Sequence, residues 1–209
     1  MTPRDYIKDP AEIYRQSFAV IESEAALAHL PDSLQPVAIR MMHACGMTDL
    51  AADLAWHLDP VAAARDALAE AAPILCDAQM TAAGIIRDRL HGNEIVALIG
   101  DPRVPELAKS LRTTRSAAQV ELWRDRLAGA VVVIGNAPTA LYHLIDLLEQ
   151  GCARPAALFA FPVGFVGAKE SKDELIATEL DIPYLTLRGR RGGSAIAAAV
   201  INALTGGIE

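Results

Sequence analysis

In residues 130–141, AVVVIGNAPTAL, three valines and an isoleucine run without a polar interruption and stop at Gly135. A short strand that is apolar at every position is covered on both faces, which is the habit of strands in a parallel sheet flanked by helices. The residues that follow signal a change of element. Asn136 could cap a helix, and Pro138 suits a first helical turn, where its missing N–H is not needed. The pattern beyond it predicts a helix near 137–150.

Outward from this unit the same rhythm recurs. PILCD (73–77), EIVALIG (94–100), PAALFAF (155–161) and PYLTLRG (183–189) read as strands bounded by Gly, Pro or Asp. Helical patterns fall near 79–90, 112–127, 169–180 and 193–205. Strands that alternate with helices form βαβ units and hence a parallel sheet. Upstream, residues 10–30 predict a helix begun by Pro10. A second helix follows Pro31-Asp32, accepts Pro36 in its first turn and ends near Gly46, and a third runs over 60–72. The expectation is an α/β fold in three layers: a mostly parallel sheet of about five strands with helices on both faces, preceded by a helical N-terminal segment. That segment covers about 1–72 and the α/β part about 73–209, with 1–209 forming a single domain.

Composition limits the function classes. A net charge of −7 argues against a general nucleic-acid binder, which needs a basic footprint against phosphates. No run approaches the ~18 apolar residues of a spanning helix, so no membrane partner is expected. Residues 1–9 carry charges where a signal peptide needs an apolar stretch, which points to a cytoplasmic protein. Cys45, Cys76 and Cys152 lie far apart without metal-ligand spacing, so reduced, packed thiols are expected and no metal site.

Ligands of such sheets sit outside the carboxyl ends of the strands, and four of those ends are unusual here. In IGNAPTAL the backbone N–H groups of the turn could face an anion, or Asn136 could simply start a helix well. FPVGFVGAKES, with Lys169, is long for a connection and resembles a ligand-contacting loop, the alternative being a packed turn over the sheet end. RGRRGGSA brings Arg188, Arg190 and Arg191 to a helix start, as an anion site or as a solvated basic loop. LRTTRSA offers Arg112 and Arg115 among hydroxyls, without a phosphate-loop fingerprint. No GxSxG or HExxH occurs, so hydrolysis and metal catalysis lack support. There remains IRMMHACGM (39–47), where Arg40 and His43 lie three apart on one predicted helix face and could meet one ligand together. The competing reading is a buried histidine satisfied by a backbone carbonyl.

Taken in order, IRMMHACGM, DAQMTAAGI, IGNAPTAL, FPVGFVGAKESK and RGRRGGSA span most of the chain and resemble the precorrin-8X methylmutase family of cobalamin biosynthesis. The resemblance implies an α/β homodimer that moves a methyl group from C-11 to C-12 of precorrin-8X, giving hydrogenobyrinate, with neither cofactor nor bound metal. It places the catalytic histidine on His43, which would protonate a ring nitrogen and assist a [1,5]-sigmatropic shift. Imidazole suits that task because its ordinary pKa lies near working pH. Arg40 would hold a substrate carboxylate, and Ser17 would touch the ligand. Arg112, Arg115, Asn136, Lys169, Arg190 and Arg191 are the other candidate binding residues, meeting a macrocycle fringed with carboxylates. The product keeps that fringe, so tight product binding is expected. Members acting on cobalt-precorrin-8 in the oxygen-independent route carry Thr-Gly or similar after the histidine. Here Ala44-Cys45-Gly46-Met47 follows, which favours the metal-free route. A tetrapyrrole carrier without turnover and a small-anion transferase using the turn 135–139 are the alternatives from other classes.

Overall fold

The structure, a computed structural model, describes residues 4–206; the outermost three residues at each end of the expected domain lie outside the described residues. In chain order the elements are α1 (Pro10–Glu24), α2 (Gln35–Cys45), β1 (Leu54–His57), α3 (Pro60–Ala69), β2 (Ile74–Cys76), α4 (Gln79–Ala83), β3 (Ile95–Val96), α5 (Val104–Ser110), α6 (Arg115–Glu121), β4 (Val131–Ile134), α7 (Pro138–Glu149), β5 (Ala157–Ala160), α8 (Ala168–Ala177), β6 (Tyr184–Leu187) and α9 (Ser194–Gly206). Short 3-10 turns occupy Thr48–Asp53, Arg87–Arg89 and Arg124–Arg126.

The strands form one sheet in the order β1-β6-β5-β4-β2-β3, parallel throughout except for β1, which runs antiparallel to β6. Alternation along each strand serves two cores. Val131, Val133, Ala157, Phe159, Leu185 and Leu187 face a layer built by α2, α3 and α9. Val132, Ile134, Leu158 and Ala160 face α6, α7 and α8 on the other side. This is why the strands read as unbroken apolar runs. Helix α1 lays Phe18 and Ile21 against the first layer, where it packs on α2. From β2 the chain first adds β3 on one side and then crosses to place β4 on the other, so the strand order reverses between β2 and β4. Among the described residues no helix is long and apolar enough to cross a membrane.

Several element bounds differ from the sequence expectation, each for a physical reason. The expected helix 10–30 stops at Glu24, because Ala25 turns extended at φ −80°, ψ 132° and Pro31 excludes helix from the residue before it. β1 lies inside the segment read as helical: its four residues are too few to show a period, and its hydrogen bonds come from β6, far along the chain. The expected helix 79–90 is reduced to α4. Asn202 of α9 donates to the Gly84 carbonyl at 2.9 Å and accepts from the Ile86 N–H at 2.8 Å, taking peptide groups that a longer helix would have paired. The run 94–100 keeps only β3 at the sheet edge. The helix expected over 112–127 becomes α6, preceded by an unforeseen α5. Arg112 is left-handed at φ 51° between them, and Thr114 caps α6 by accepting from the Ala117 N–H at 3.1 Å.

Candidate active site

At the point where the strand order reverses, β4 ends and α7 does not begin until Pro138, which frees the N–H groups of Gly135, Asn136 and Ala137. They converge on a carboxylate of the chain itself. Asp77, at the end of β2 and only 1% exposed, accepts from them at 2.8, 2.9 and 2.7 Å. Gln119 donates to the Asp77 carbonyl at 2.6 Å, and Thr81 bridges Asp77 to the Ser194 hydroxyl. The crevice is closed as well as neutralised: a Cβ on Gly135 would stand 2.8 Å from the Ser194 Cα. The turn expected to hold an external anion therefore holds an internal one, and the small-anion transferase reading loses its amides. Asn136 does not cap α7, whose N-cap is Ala137, and its side chain is exposed above the turn.

The open site lies elsewhere, between α1 and α2. A cleft of about 520 Å³ is lined by Ser17, Val20 and Glu24 from α1, Met42 and His43 from α2, and Gly46 and Thr48 beyond it. The local sequence builds it directly. Tyr14, Ser17, Phe18 and Ile21 recur at helical spacing on one face of α1, and Gly46, left-handed at φ 69°, stops α2 just past the histidine. His43 is half-buried and stacks on Phe18, with ring centroids 5.1 Å apart and planes 18° from parallel. Tyr14 closes on the same imidazole at 5.1 Å. Among the described residues none hydrogen-bonds the His43 ring, unlike His29, which meets the Ala51 carbonyl at 3.1 Å, and His143, which meets Glu121 at 2.7 Å. The carbonyl-satisfied reading fits His29 and not His43.

Arg40 stands one turn earlier, 7% exposed, with its guanidinium 5.4 Å from the Tyr14 ring centroid. Its Nη1 is buried without a hydrogen-bond partner among the described residues. A buried, unmatched cationic donor is costly and is an open request for an anion. Burial, and secondly the charge of Arg40, hold the His43 pKa below its ordinary 6.5. The cleft thus presents a neutral imidazole, while the buried guanidinium of Arg40 stands behind the cleft wall and is not among the residues that line it.

The remaining candidates divide into two groups. Arg190 and Arg191 join Met47, Val163, Phe165 and Gly192 around a second cleft of about 250 Å³. Met47 lies between Gly46 and Thr48 of the first cleft, so the two adjoin. Arg190 reaches over the exposed Phe165 ring at 5.4 Å, while Arg191 is paired with Asp49 at 2.8 Å and with Asp53. Arg112, Arg115, Asn136 and Lys169 line neither cleft. Arg115 donates to the Ile99 carbonyl at 2.8 Å and Lys169 pairs with Asp173 at 2.5 Å. Arg112 and Arg188 are exposed. Sequence reasoning missed Tyr14 and Phe18, whose spacing with Ser17 was the available signal. It also missed Asp77, a charge ending a buried strand. The three cysteines are free, and burial pushes the Cys76 thiol up to about 12. Among the described residues no group of three or more His, Cys, Asp or Glu could hold a metal ion.

Comparison with known proteins bears on this geometry. The family model described as precorrin-8X methylmutase matches residues 12–206. A precorrin-8X methylmutase of Pseudomonas aeruginosa is 53% identical over 96% of this chain and 97% of its own, and one from Sinorhizobium is 49% identical over 98% of both. A cobalt-precorrin-8 methylmutase of Priestia megaterium is 36% identical over 94% of this chain and 87% of its own. Among solved structures, precorrin-8X methyl mutase from Thermus thermophilus superposes with a TM-score of 0.85 at 36% identity, covering 95% of this chain and 98% of that one.

Proposed function

The chain belongs to the precorrin-8X methylmutase family, isomerases of cobalamin biosynthesis, and from that premise we propose that it moves a methyl group from C-11 to C-12 of precorrin-8X in the His43 cleft, giving hydrogenobyrinate. The observation that carries the assignment of the site is the pair of unmatched groups on α2: an imidazole with free ring nitrogens and, one turn away, a buried guanidinium with a free donor.

The two groups act in sequence. A substrate carboxylate drawn into the cleft by the charge of Arg40 behind its wall offsets that charge, which depresses the His43 pKa, so binding raises the imidazole toward the range where it carries a proton. His43 then lends that proton to a ring nitrogen, which draws electron density from the macrocycle. The bond from the methyl to C-11 breaks as the bond to C-12 forms, and the proton returns to His43, leaving no net change but the methyl position. Tyr14 and Phe18 hold the imidazole plane from behind, and Ser17 stands in the cleft wall with its hydroxyl available to the ligand. Arg190, beside the second cleft, is placed to meet carboxylates on the far side of a macrocycle too broad for one cleft. Arg191 already has carboxylate partners of its own and serves the wall rather than the ligand.

The metal-free substrate is favoured over cobalt-precorrin-8 by the Ala44-Cys45-Gly46-Met47 sequence and by the higher identity to the two relatives named for precorrin-8X. A cytoplasmic homodimer, in which 1–209 is one domain, completes the proposal. Incubating the protein with precorrin-8X and following the visible spectrum tests it. Conversion to the hydrogenobyrinate spectrum is expected; a stoichiometric complex whose spectrum stays that of precorrin-8X would make the protein a carrier instead.

A further inference from the structure

Lys172, on α8, is completely buried, and among the described residues its ammonium makes no ion pair. Its Nζ donates a 2.6 Å hydrogen bond to the carbonyl of Arg191. Burial pushes its pKa from 10.5 down to about 8, with Asp173 on the same helix and Asp53 from the Thr48–Asp53 turn working against that shift. A methionine would fill the same space without desolvating a charge, so the cation is explained by what it holds.

What it holds is a turn wedged between two loops. Gly193 donates to the Phe161 carbonyl at 2.9 Å and Gly164 to the Arg190 carbonyl at 3.3 Å, while a Cβ on Gly192 would stand 2.2 Å from the Phe161 oxygen. From that turn the Arg191 guanidinium reaches Asp49 and Asp53, in the 3-10 turn that begins two residues after Gly46. Gly46 and Thr48 wall the His43 cleft, and Met47 walls the second. A continuous chain of contacts therefore runs from the Lys172 ammonium to the partition between the clefts.

We propose that Lys172 is a positioning residue for the His43 site: its ammonium fixes the turn 190–192, and Arg191 passes that constraint to segment 46–53, so that the two clefts keep the spacing one ligand spanning both requires. This rests on the His43 cleft being the substrate site. Lys172 lines neither cleft, so its effect falls on affinity rather than on proton transfer.

The test titrates hydrogenobyrinate into the wild type and Lys172→Met at pH 7 and pH 9, measures turnover of precorrin-8X, and follows amide exchange of 46–53 in both proteins without ligand. Losing a charged hydrogen bond should weaken macrocycle binding about tenfold. The kcat at saturation should stay within about twofold of wild type, since uniform binding is what is lost. Exchange across 46–53 should speed up in the variant. Affinity should fall between the two pH values more steeply in the wild type than in the variant, because Lys172 loses its proton and the charge-assisted bond weakens. Any proton that His43 takes up on binding is common to both proteins and drops out of the comparison between them, and the carboxylates that act on Lys172, those of Asp173 and Asp53, are of a class that does not titrate in this window. An unchanged Kd in Lys172→Met, or a lost kcat at unchanged Kd, overturns the proposal. Should Lys172→Met fail to fold, Lys172→Gln, which keeps a neutral donor to the Arg191 carbonyl, takes its place, and an unchanged Kd with unchanged exchange across 46–53 overturns the proposal. If hydrogenobyrinate binds neither protein, the assignment of the site is what fails, and unchanged exchange across 46–53 then overturns the tie itself.

Discussion

The turn after β4 and the cleft between α1 and α2 both gather groups that favour an anion, and they differ in whether the chain supplies it. At the turn, three amides close on Asp77, and Gln119, Thr81 and Ser194 complete the network. On α2, among the described residues, Arg40 keeps a buried donor without a hydrogen-bond partner and His43 keeps its ring nitrogens free. The first arrangement is finished within the chain and serves the fold. The second is unfinished, and the proposed ligand site rests on that difference. Position in the fold alone would have chosen the first, because the reversal of strand order is where open α/β sheets ordinarily bind.

The contrast is breakable by mutation. Asp77→Ala leaves three buried amides unmatched and should cost about 3 kcal/mol or more of unfolding free energy by denaturant titration. If it cost little, the network would not be the scaffold described. Arg40→Met should behave in the opposite sense. Replacing an uncompensated buried cation by an apolar chain should leave stability within about 1 kcal/mol of wild type or raise it. Binding of hydrogenobyrinate should weaken about tenfold as the cation behind the cleft wall is lost. The same substitution should raise the His43 pKa in the free protein, read from the imidazole proton resonance, since one of the two causes of its depression is gone. An Arg40→Met protein that lost stability and kept affinity would make Arg40 a structural residue.

A smaller effect follows from His43 itself. Its folded pKa lies below the 6.5 of the unfolded chain, so the unfolded state binds more protons as pH falls through 6.5 toward the folded value. Stability should therefore decline across that acid window, and His43→Ala should remove this part of the decline while leaving the rest. Identical acid profiles for the two proteins would mean that the imidazole is as well solvated folded as unfolded.

Much of the scaffold is legible along the chain because it is written locally. Runs such as VVVI and ALFA announce strands covered on both faces, and Pro60 and Pro138 mark helix starts within a residue. The misses share a cause: β1, the shortening of α4 by Asn202 and the filling of the turn by Asp77 depend on partners 58 or more residues away. The site divides along the same line. Arg40 and His43 are three residues apart, so a helix period suffices to pair them, whereas the stacking of Phe18 on His43 and the closing of Arg191 on Asp49 require two distant segments to meet. The basic residues near α7 show the limit most clearly: Arg115 and Lys169 have the residue types of an anion site, yet their donors go to Ile99 and Asp173 of the chain itself.

The most direct test of the central claim is a single-turnover experiment with His43→Ala in excess over precorrin-8X, followed by visible absorption. The imidazole faces a cleft and its hydrogen-bonding capacity is unused in the free fold, so the variant should stay folded and bind the macrocycle. Its conversion to hydrogenobyrinate should slow by roughly 10²–10⁴ fold, as for a lost general acid. A His43→Ala protein that converts bound precorrin-8X at the wild-type rate would contradict the account, leaving the cleft as a place of binding and the proton to come from elsewhere.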